Sequence, residues 1–294
     1  MKLIVTGSAG FIGMHTALGL LGAGHEVIGV DNLNTYYDVQ LKQRRLELLQ
    51  EQPGFRFYKL DIADSATLHQ CFKHEGPERV VHLAAQAGVR YSLENPMAYV
   101  SSNLVGFANI LEACRQAKVP HLVFASSSSV YGDDARLPFS EHNPADHPLS
   151  LYAATKRSNE LMAHAYAHLY GLRMTGLRFF TVYGPWGRPD MAPILFAKAI
   201  VSGDPIRVHN HGNHRRDFTY VDDIVRGVVA VALGSPPAGP TRVAGPDDPA
   251  TGNAPFRLYN IGNGNPVRLM DFLSRLEHSL GRKALLEMID AQPG

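Results

Sequence analysis

Leu3-Ile4-Val5-Thr6-Gly7-Ser8-Ala9-Gly10-Phe11-Ile12-Gly13 decides the fold of this chain. A short β-branched run reads as a strand. Glycines spaced Gly-x-x-Gly-x-x-Gly follow it, and Phe11 and Ile12 open a helix-length stretch. Glycine lets the backbone approach a pyrophosphate, and a helix N-terminus offers unpaired amides at the positive end of its dipole. The triplet alone is a weak signal, because any tight strand–helix turn uses glycine. Its context adds weight. A second apolar run, Glu26-Val27-Ile28-Gly29-Val30, ends at Asp31, with Asn32 beside it. A carboxylate there binds ribose hydroxyls and repels a 2′-phosphate, so the pattern predicts NAD rather than NADP. Gly7, Gly10, Phe11, Ile12, Gly13, Asp31 and Asn32 are the first cofactor candidates.

Outward from this loop the alternation continues. Arg56-Phe57-Tyr58-Lys59-Leu60 ends at Asp61, Arg79-Val80-Val81-His82-Leu83 ends at Ala84-Ala85-Gln86, and His121-Leu122-Val123-Phe124 ends in four serines. Strands alternating with helical stretches predict an α/β fold, a Rossmann-type doubly wound parallel sheet. Ligands in such sheets gather at the carboxyl ends of strands. That makes Asp61, Ile62, Ala84 and Gln86 further cofactor candidates. Asp61 is equally explained as a helix N-cap, and Asn103, in a helix-like stretch, as a structural hydrogen bonder.

The pattern changes after about residue 180. Gly, Pro and His become dense over 203–217 and 234–255, and the segment Gly234–Pro255 reads as a mobile surface loop. Strand and helix signals return with Leu258-Tyr259-Asn260-Ile261-Gly262 and over 266–281. Residues 1–180 therefore read as an NAD-binding domain. Residues 181–294 read as a smaller C-terminal α/β substrate lobe, interleaved with the first.

The 294 residues carry a net charge of +1 and are 45% hydrophobic. That suits a packed core and leaves no basic footprint for nucleic acid or an anionic membrane. The apolar runs are too interrupted to span a bilayer, and the N-terminus lacks the form of a signal peptide. Cys71 and Cys114 are far apart in sequence and show no metal-like spacing, so buried thiols in a reducing cytoplasm are the simplest reading. His209, His211 and His214 lack the carboxylate or cysteine company of a strong zinc site, and no metal is expected.

Tyr152-Ala153-Ala154-Thr155-Lys156 carries the chemistry. The spacing sets a phenol and an ammonium on one helix face, one turn apart. A nearby cation favours phenolate, and a tyrosine poised near neutral pH is a usable general base. The bare pattern also fits a solvated helix face.

The glycine triplet, Asp31, Ser126-Ser127-Ser128-Ser129-Val130-Tyr131-Gly132 and Tyr152-x-x-x-Lys156 occur in one order. Together they resemble the extended short-chain dehydrogenase/reductase family, in its nucleotide-sugar epimerase branch, across essentially the whole chain. The resemblance implies that Ser127 pairs with Tyr152 at the sugar 4-hydroxyl. It also implies that Lys156 binds the nicotinamide ribose and depresses the tyrosine pKa, and that Ser128 and Ser129 touch substrate. The stretches 87–96, which includes Arg90, and Arg178–Met191 are similar to UDP-glucuronate 4-epimerases. The run 215–223 is similar to the family's nucleotide-binding segment, with Arg216 at the diphosphate. Family members usually run some tens of residues further, so part of the substrate lobe is expected beyond residue 294. A homodimer is implied too, through a four-helix bundle built from the helices around Leu111–Cys114 and Tyr152.

The activity so implied is reversible 4-epimerisation of UDP-glucuronate to UDP-galacturonate through a transient 4-keto sugar, with NAD tightly held. Such a sugar acid often feeds surface polysaccharide in the family. A 4-ketone turns the carboxylate at C5 into a β-keto acid, which loses carbon dioxide readily. Thr181 and Arg188 are the candidates to hold that carboxylate. Arg188 is otherwise a surface or interface arginine. Sugar 4,6-dehydratases usually carry Asp-Glu where Ser128-Ser129 stand, and UDP-glucuronate decarboxylases a glutamate where Ser129 stands. A UDP-glucose/UDP-galactose-type 4-epimerase is the nearest alternative. A silent NAD-binding protein on the same fold is the alternative of a different class.

Overall fold

A computed structural model of the chain describes residues 1–134, 136–239, 245 and 248–290. Its first half runs β1 (Lys2–Thr6), α1 (Phe11–Gly22), β2 (Glu26–Asp31), α2 (Val39–Gln50), β3 (Phe55–Lys59), α3 (Ser65–Glu75) and β4 (Arg79–His82). Two short helices, α4 (Tyr91–Glu94) and α5 (Pro96–Tyr99), then lead through a π-helical segment, Val100–Val105, into α6 (Gly106–Gln116) and β5 (Leu122–Ser127). After α7 (Leu151–Tyr170) come β6 (Met174–Phe179), β7 (Thr181–Tyr183), α8 (Ala192–Ser202) and β8 (Pro205–His209). The last elements are β9 (Arg215–Arg216), β10 (Phe218–Tyr220), α9 (Val221–Leu233), β11 (Phe256–Ile261), β12 (Val267–Arg268), α10 (Leu269–Leu280) and β13 (Leu285–Ile289).

Seven strands form one sheet in the order β11-β6-β5-β4-β1-β2-β3. Every neighbouring pair is parallel. The α/β, doubly wound reading of the sequence is thus the fold observed. The near-continuous apolar runs have a direct cause: alternate side chains feed two cores. Leu3, Val5, Val27, Val81 and Val123 face α1 and α9, among Met14, Leu20 and Val228. Ile4, Ile28, Val80, Leu122 and Phe124 face the other way, among Leu68, Phe107, Leu111 and Ala163. Winding reverses between β1 and β4, which opens a crevice at their carboxyl ends.

Local capping sets where the functional helices begin. Asp64 accepts from the amides of Ala66 and Thr67 and starts α3. Ser150 accepts from the Ala153 amide and starts α7, which fixes Tyr152 in its first turn. Gly171 stops that helix in the left-handed conformation.

The distal half is shared between two cores. Ile200, Ile206, Val208, Leu269 and Leu273 make a small one of their own. By contrast α9 covers the main sheet, and β11 is its edge strand beside β6. β6, buried along its whole length, is a strand that the sequence reading did not single out. Every described residue of the expected loop 234–255 lies outside helix and strand, but it is a surface loop only in part. Residues 240–244, 246 and 247 lie outside the described residues, as does the loop-like end 291–294. Ala250 and Ala254 are buried, because they pack beside Phe256 and Leu258 in the sheet core.

Candidate active site

The glycine loop closes on itself. The Gly7 amide donates to the Val30 carbonyl at 2.7 Å and the Gly10 amide to the Gly7 carbonyl at 2.9 Å. A Cβ on Gly13 would lie 1.9 Å from that Gly7 oxygen, so only glycine permits this turn of helix against the loop. Gly10 precedes α1 without a side-chain cap, which leaves first-turn amides for an anion. Asp31 ends β2 as expected. Its Oδ2 accepts from the Ala9 amide at 3.1 Å and its Oδ1 from the Leu33 amide at 2.8 Å. Burial pushes the Asp31 carboxyl up, opposed by the Leu33 amide, Lys42, the Ala9 amide and Arg45. Each carboxylate oxygen keeps acceptor capacity for a ribose hydroxyl. A dinucleotide fits this donor and acceptor set.

The neighbouring candidates tie the walls together. Asn32 donates to Asp61 at 2.8 Å, and Asp61 also accepts from the Ala63 amide. The Ala84 amide donates to Thr6 at 3.2 Å. The Gln86 amide donates to Asn103, whose own amide group donates to the Gln86 carbonyl and to Thr155. Asn103 therefore stitches the end of β4 to α7. Ile62 is buried, and its carbonyl accepts from Asn109.

Across the crevice, Ser127 ends β5 and its hydroxyl caps the single turn Ser128–Tyr131 by accepting from the Ser129 amide at 3.2 Å. Burial raises the Tyr152 phenol, opposed by a hydrogen bond with Ser127 and by the Arg188 cation, not by the Lys156 cation that the spacing suggested. Lys156 is buried and donates to the Ala125 carbonyl at 3.0 Å. Burial lowers its ammonium to about 8, against the pull of Glu160. Glu160 accepts from Ser126 at 2.6 Å and takes both arms of Arg178 at 2.8 Å, all of them buried.

Thr181 opens β7, and its amide donates to the Asp217 carbonyl at 3.0 Å. Arg188 is not a surface residue. Its side chain is 19% exposed, paired with Asp190 and 6.0 Å from the Tyr36 ring. Arg90 and Arg216 are both exposed, and partial burial together with the Arg90 charge pushes Arg216 down.

Sequence reasoning missed Tyr36, Lys42, Arg45, Glu160 and Asp190 as parts of the site. Lys42 donates to Asn34 at 2.5 and 2.8 Å. Arg45 is fully buried. It donates to the Ala9 carbonyl at 3.2 Å, to Tyr37 at 2.7 Å and to the Trp186 carbonyl at 2.6 Å. It straps the glycine loop to the segment that carries Arg188. On a helix reading Val39-Gln40-Leu41-Lys42-Gln43-Arg44-Arg45 these cations look solvated, and the signal available was only their position just after Asp31.

A doubly wound sheet, a glycine-rich loop capped by an acid at β2, and a Ser–Tyr–Lys cluster at β5 and α7 define a dinucleotide-binding enzyme of the short-chain dehydrogenase/reductase type. Residues 3–241 match the model of the NAD dependent epimerase/dehydratase family, and the chain belongs to that family. It is 50% identical over 297 residues to a probable UDP-glucuronate 4-epimerase of Rhizobium meliloti, covering 100% of this chain and 86% of the relative. Among solved structures it is similar to UDP-glucuronic acid 4-epimerase of Bacillus cereus, in complex with UDP-glucuronic acid and NAD. There the TM-score is 0.87 at 33% identity, covering 100% of this chain and 88% of that one. The UDP-glucose 4-epimerase of Thermotoga maritima gives a TM-score of 0.85 at 28% identity, covering 100% and 87%. Among the described residues no helix is long and apolar enough to cross a membrane.

Proposed function

We propose that this protein interconverts UDP-glucuronate and UDP-galacturonate by inverting carbon 4. The observation that carries the reading is the Arg188 side chain, 19% exposed and paired with Asp190, whose cation acts on the Tyr152 phenol. A guanidinium held by Asp190 and felt by the reacting phenol suits a sugar that bears a carboxylate next to the reacting carbon. The similarity to UDP-glucuronate 4-epimerases supports the same substrate. Gly7, Gly10, Phe11, Ile12, Gly13, Asp31, Asn32, Asp61, Ile62, Ala84 and Gln86 hold NAD, together with Tyr152 and Lys156. NAD, when bound, supplies a reversible hydride sink at carbon 4.

The chain's own groups manage the proton and the acid. Tyr152 Oη takes the 4-hydroxyl proton, with the Ser127 hydroxyl bridging, and returns it after the sugar turns over. Lys156 keeps a positive charge behind the phenol. Ser128, Ser129, Arg90 and Arg216 hold the nucleotide sugar. Thr181 and Arg188 hold the carboxylate out of line, so that the C5–C6 electron pair does not flow into the 4-ketone and release carbon dioxide. Residues 1–180 serve mainly the cofactor and 181–294 the sugar nucleotide.

A second copy of the chain is part of this reading. Leu93, Met97 and Val105 on one side, and Leu161, Leu169 and Tyr170 on α7, are exposed apolar groups on neighbouring helices. Such a face suits a twofold four-helix bundle. The two buried free thiols suit a reducing cytoplasm, and the product suits polysaccharide synthesis.

Incubation with UDP-glucuronate, followed by separation of the UDP-sugars, tests the reaction. Galacturonate is the expected product. Pentose would mean decarboxylation, and turnover of UDP-glucose alone would mean the neutral-sugar epimerase. Tyr152→Phe should lower turnover by at least about 100-fold, the scale of a positioned general base. Undiminished turnover would remove Tyr152 from its role.

A further inference from the structure

A guanidinium has two edges on which a carboxylate can sit, the Nε/Nη2 side and the Nη1/Nη2 end. In Arg188 the side edge is taken. Nε donates to Asp190 Oδ1 at 3.0 Å, and Nη2 donates to Asp190 Oδ2. Tyr36 Oη donates to that same Oδ2 at 3.0 Å. The Tyr36 ring is braced in turn, with Tyr91 at 4.7 Å and Tyr37 at 6.0 Å between centroids. Gly88 makes the close approach possible, because a Cβ there would stand 2.5 Å from the Tyr36 hydroxyl. The backbone before Arg188 is fixed as well, by Arg45 on the Trp186 carbonyl. After it, the Met191 amide closes a turn on the Arg188 carbonyl at 3.2 Å.

Asp190 and Tyr36 converge on one side of the cation, and the backbone contacts fix the segment that carries it. An arginine side chain left free loses much rotamer entropy when it captures a ligand. Here that loss is taken on folding. We infer that Asp190, backed by Tyr36, is a positioning residue that clamps Arg188 by its side edge and keeps the end edge for the carboxylate of the sugar. The inference rests on the proposed role of Arg188. Asp190 would thus set acid-sugar specificity without touching the substrate. The opposite possibility has a definite signature: an Asp190 that merely competes with the sugar for Arg188 would weaken binding, and its removal would tighten it.

Kinetics of the NAD-loaded enzyme separate these cases. Asp190→Asn keeps the shape and removes the charge. Its KM for UDP-glucuronate should rise about tenfold, the loss of a charge-assisted pair. Its affinity for UDP, which lacks the acid, should stay unchanged, and pentose should appear among the products. Asp190→Glu should recover part of the loss, which a merely structural carboxylate would not tie to KM. Tyr36→Phe should shift KM the same way by about threefold, and it carries the test if Asp190→Asn fails to fold. An unchanged or lowered KM in these variants, with Arg188→Ala still impaired, overturns the clamp and leaves the role of Arg188 standing. Unimpaired Arg188→Ala overturns both.

Discussion

Lys156 and Glu160 lie one turn apart on α7, and both reach the end of β5. Lys156 holds the Ala125 carbonyl, while Glu160 holds the Ser126 hydroxyl and the Arg178 fork. Burial brings Lys156 down to about 8, and Glu160 is the charge that pulls it back up. Loss of the Lys156 cation should therefore give kcat/KM an alkaline limb near pH 8. Glu160→Gln removes the opposing charge, so the limb should move to lower pH. A limb that stays in place would exclude Lys156 as its source. Unfolding does not mimic this. The folded Lys156 pKa lies below its unfolded value of 10.5, so the unfolded chain binds more protons between the two. The residue's contribution to stability therefore rises with pH across that window. The same substitution should lower stability by about 3 kcal/mol, because it leaves the buried Arg178 unmatched. Tyr152 and Lys156 were legible in the sequence because their spacing and helix are local. Glu160, Lys42 and Arg45 were not. A charged residue on a helix reads as solvated until its partner is known, and the partners come from β6, from the loop after β2, from the glycine loop and from the segment before Arg188. Asp190 stood in a recognised motif, yet its role depends on Tyr36, 154 residues away.

Elements show the same division. β1 to β5 announced themselves as apolar runs ending in small or polar residues. β6 did not, although Met174–Phe179 is buried throughout. Gly176 and Arg178 interrupt its apolar pattern, and Arg178 belongs there only because Glu160 neutralises it. The loop before β11 misled for a related reason: its Gly and Pro content signals turns, but Ala250 and Ala254 lie in the core. β11 should matter more than its edge position implies. Phe256 and Leu258 are nearly fully buried. Phe256→Ala should cost about 3–5 kcal/mol by cavity formation, read as a lower midpoint in denaturant with an unchanged slope. A loss below about 1 kcal/mol would mean that β11 frays from β6 in solution.

For the whole molecule, the exposed apolar groups of α7 are the feature to explain. Leu161 is 57% exposed and Leu169 is 66% exposed, yet the rest of that helix is built around the catalytic residues. In a dimer the same helix would be buried on both sides. Leu161→Glu should convert a dimer seen by sedimentation into a monomer, since a lone charge is costly at a desolvated interface. A wild-type monomer at micromolar concentration would end that reading. The placing of β11 also acts in time. A ribosome delivers Met174–Phe179 long before Phe256–Ile261, and residues 180–255 lie between them. At about 5–20 residues per second the nascent chain carries an unfinished sheet for roughly 4–15 s. The outer rim of β6 stays open to pairing with any extended peptide during that interval. The cofactor-binding residues, Ser127, Tyr152 and Lys156 all precede β6 in the chain, so the catalytic groups are synthesised before the edge strand that completes their sheet.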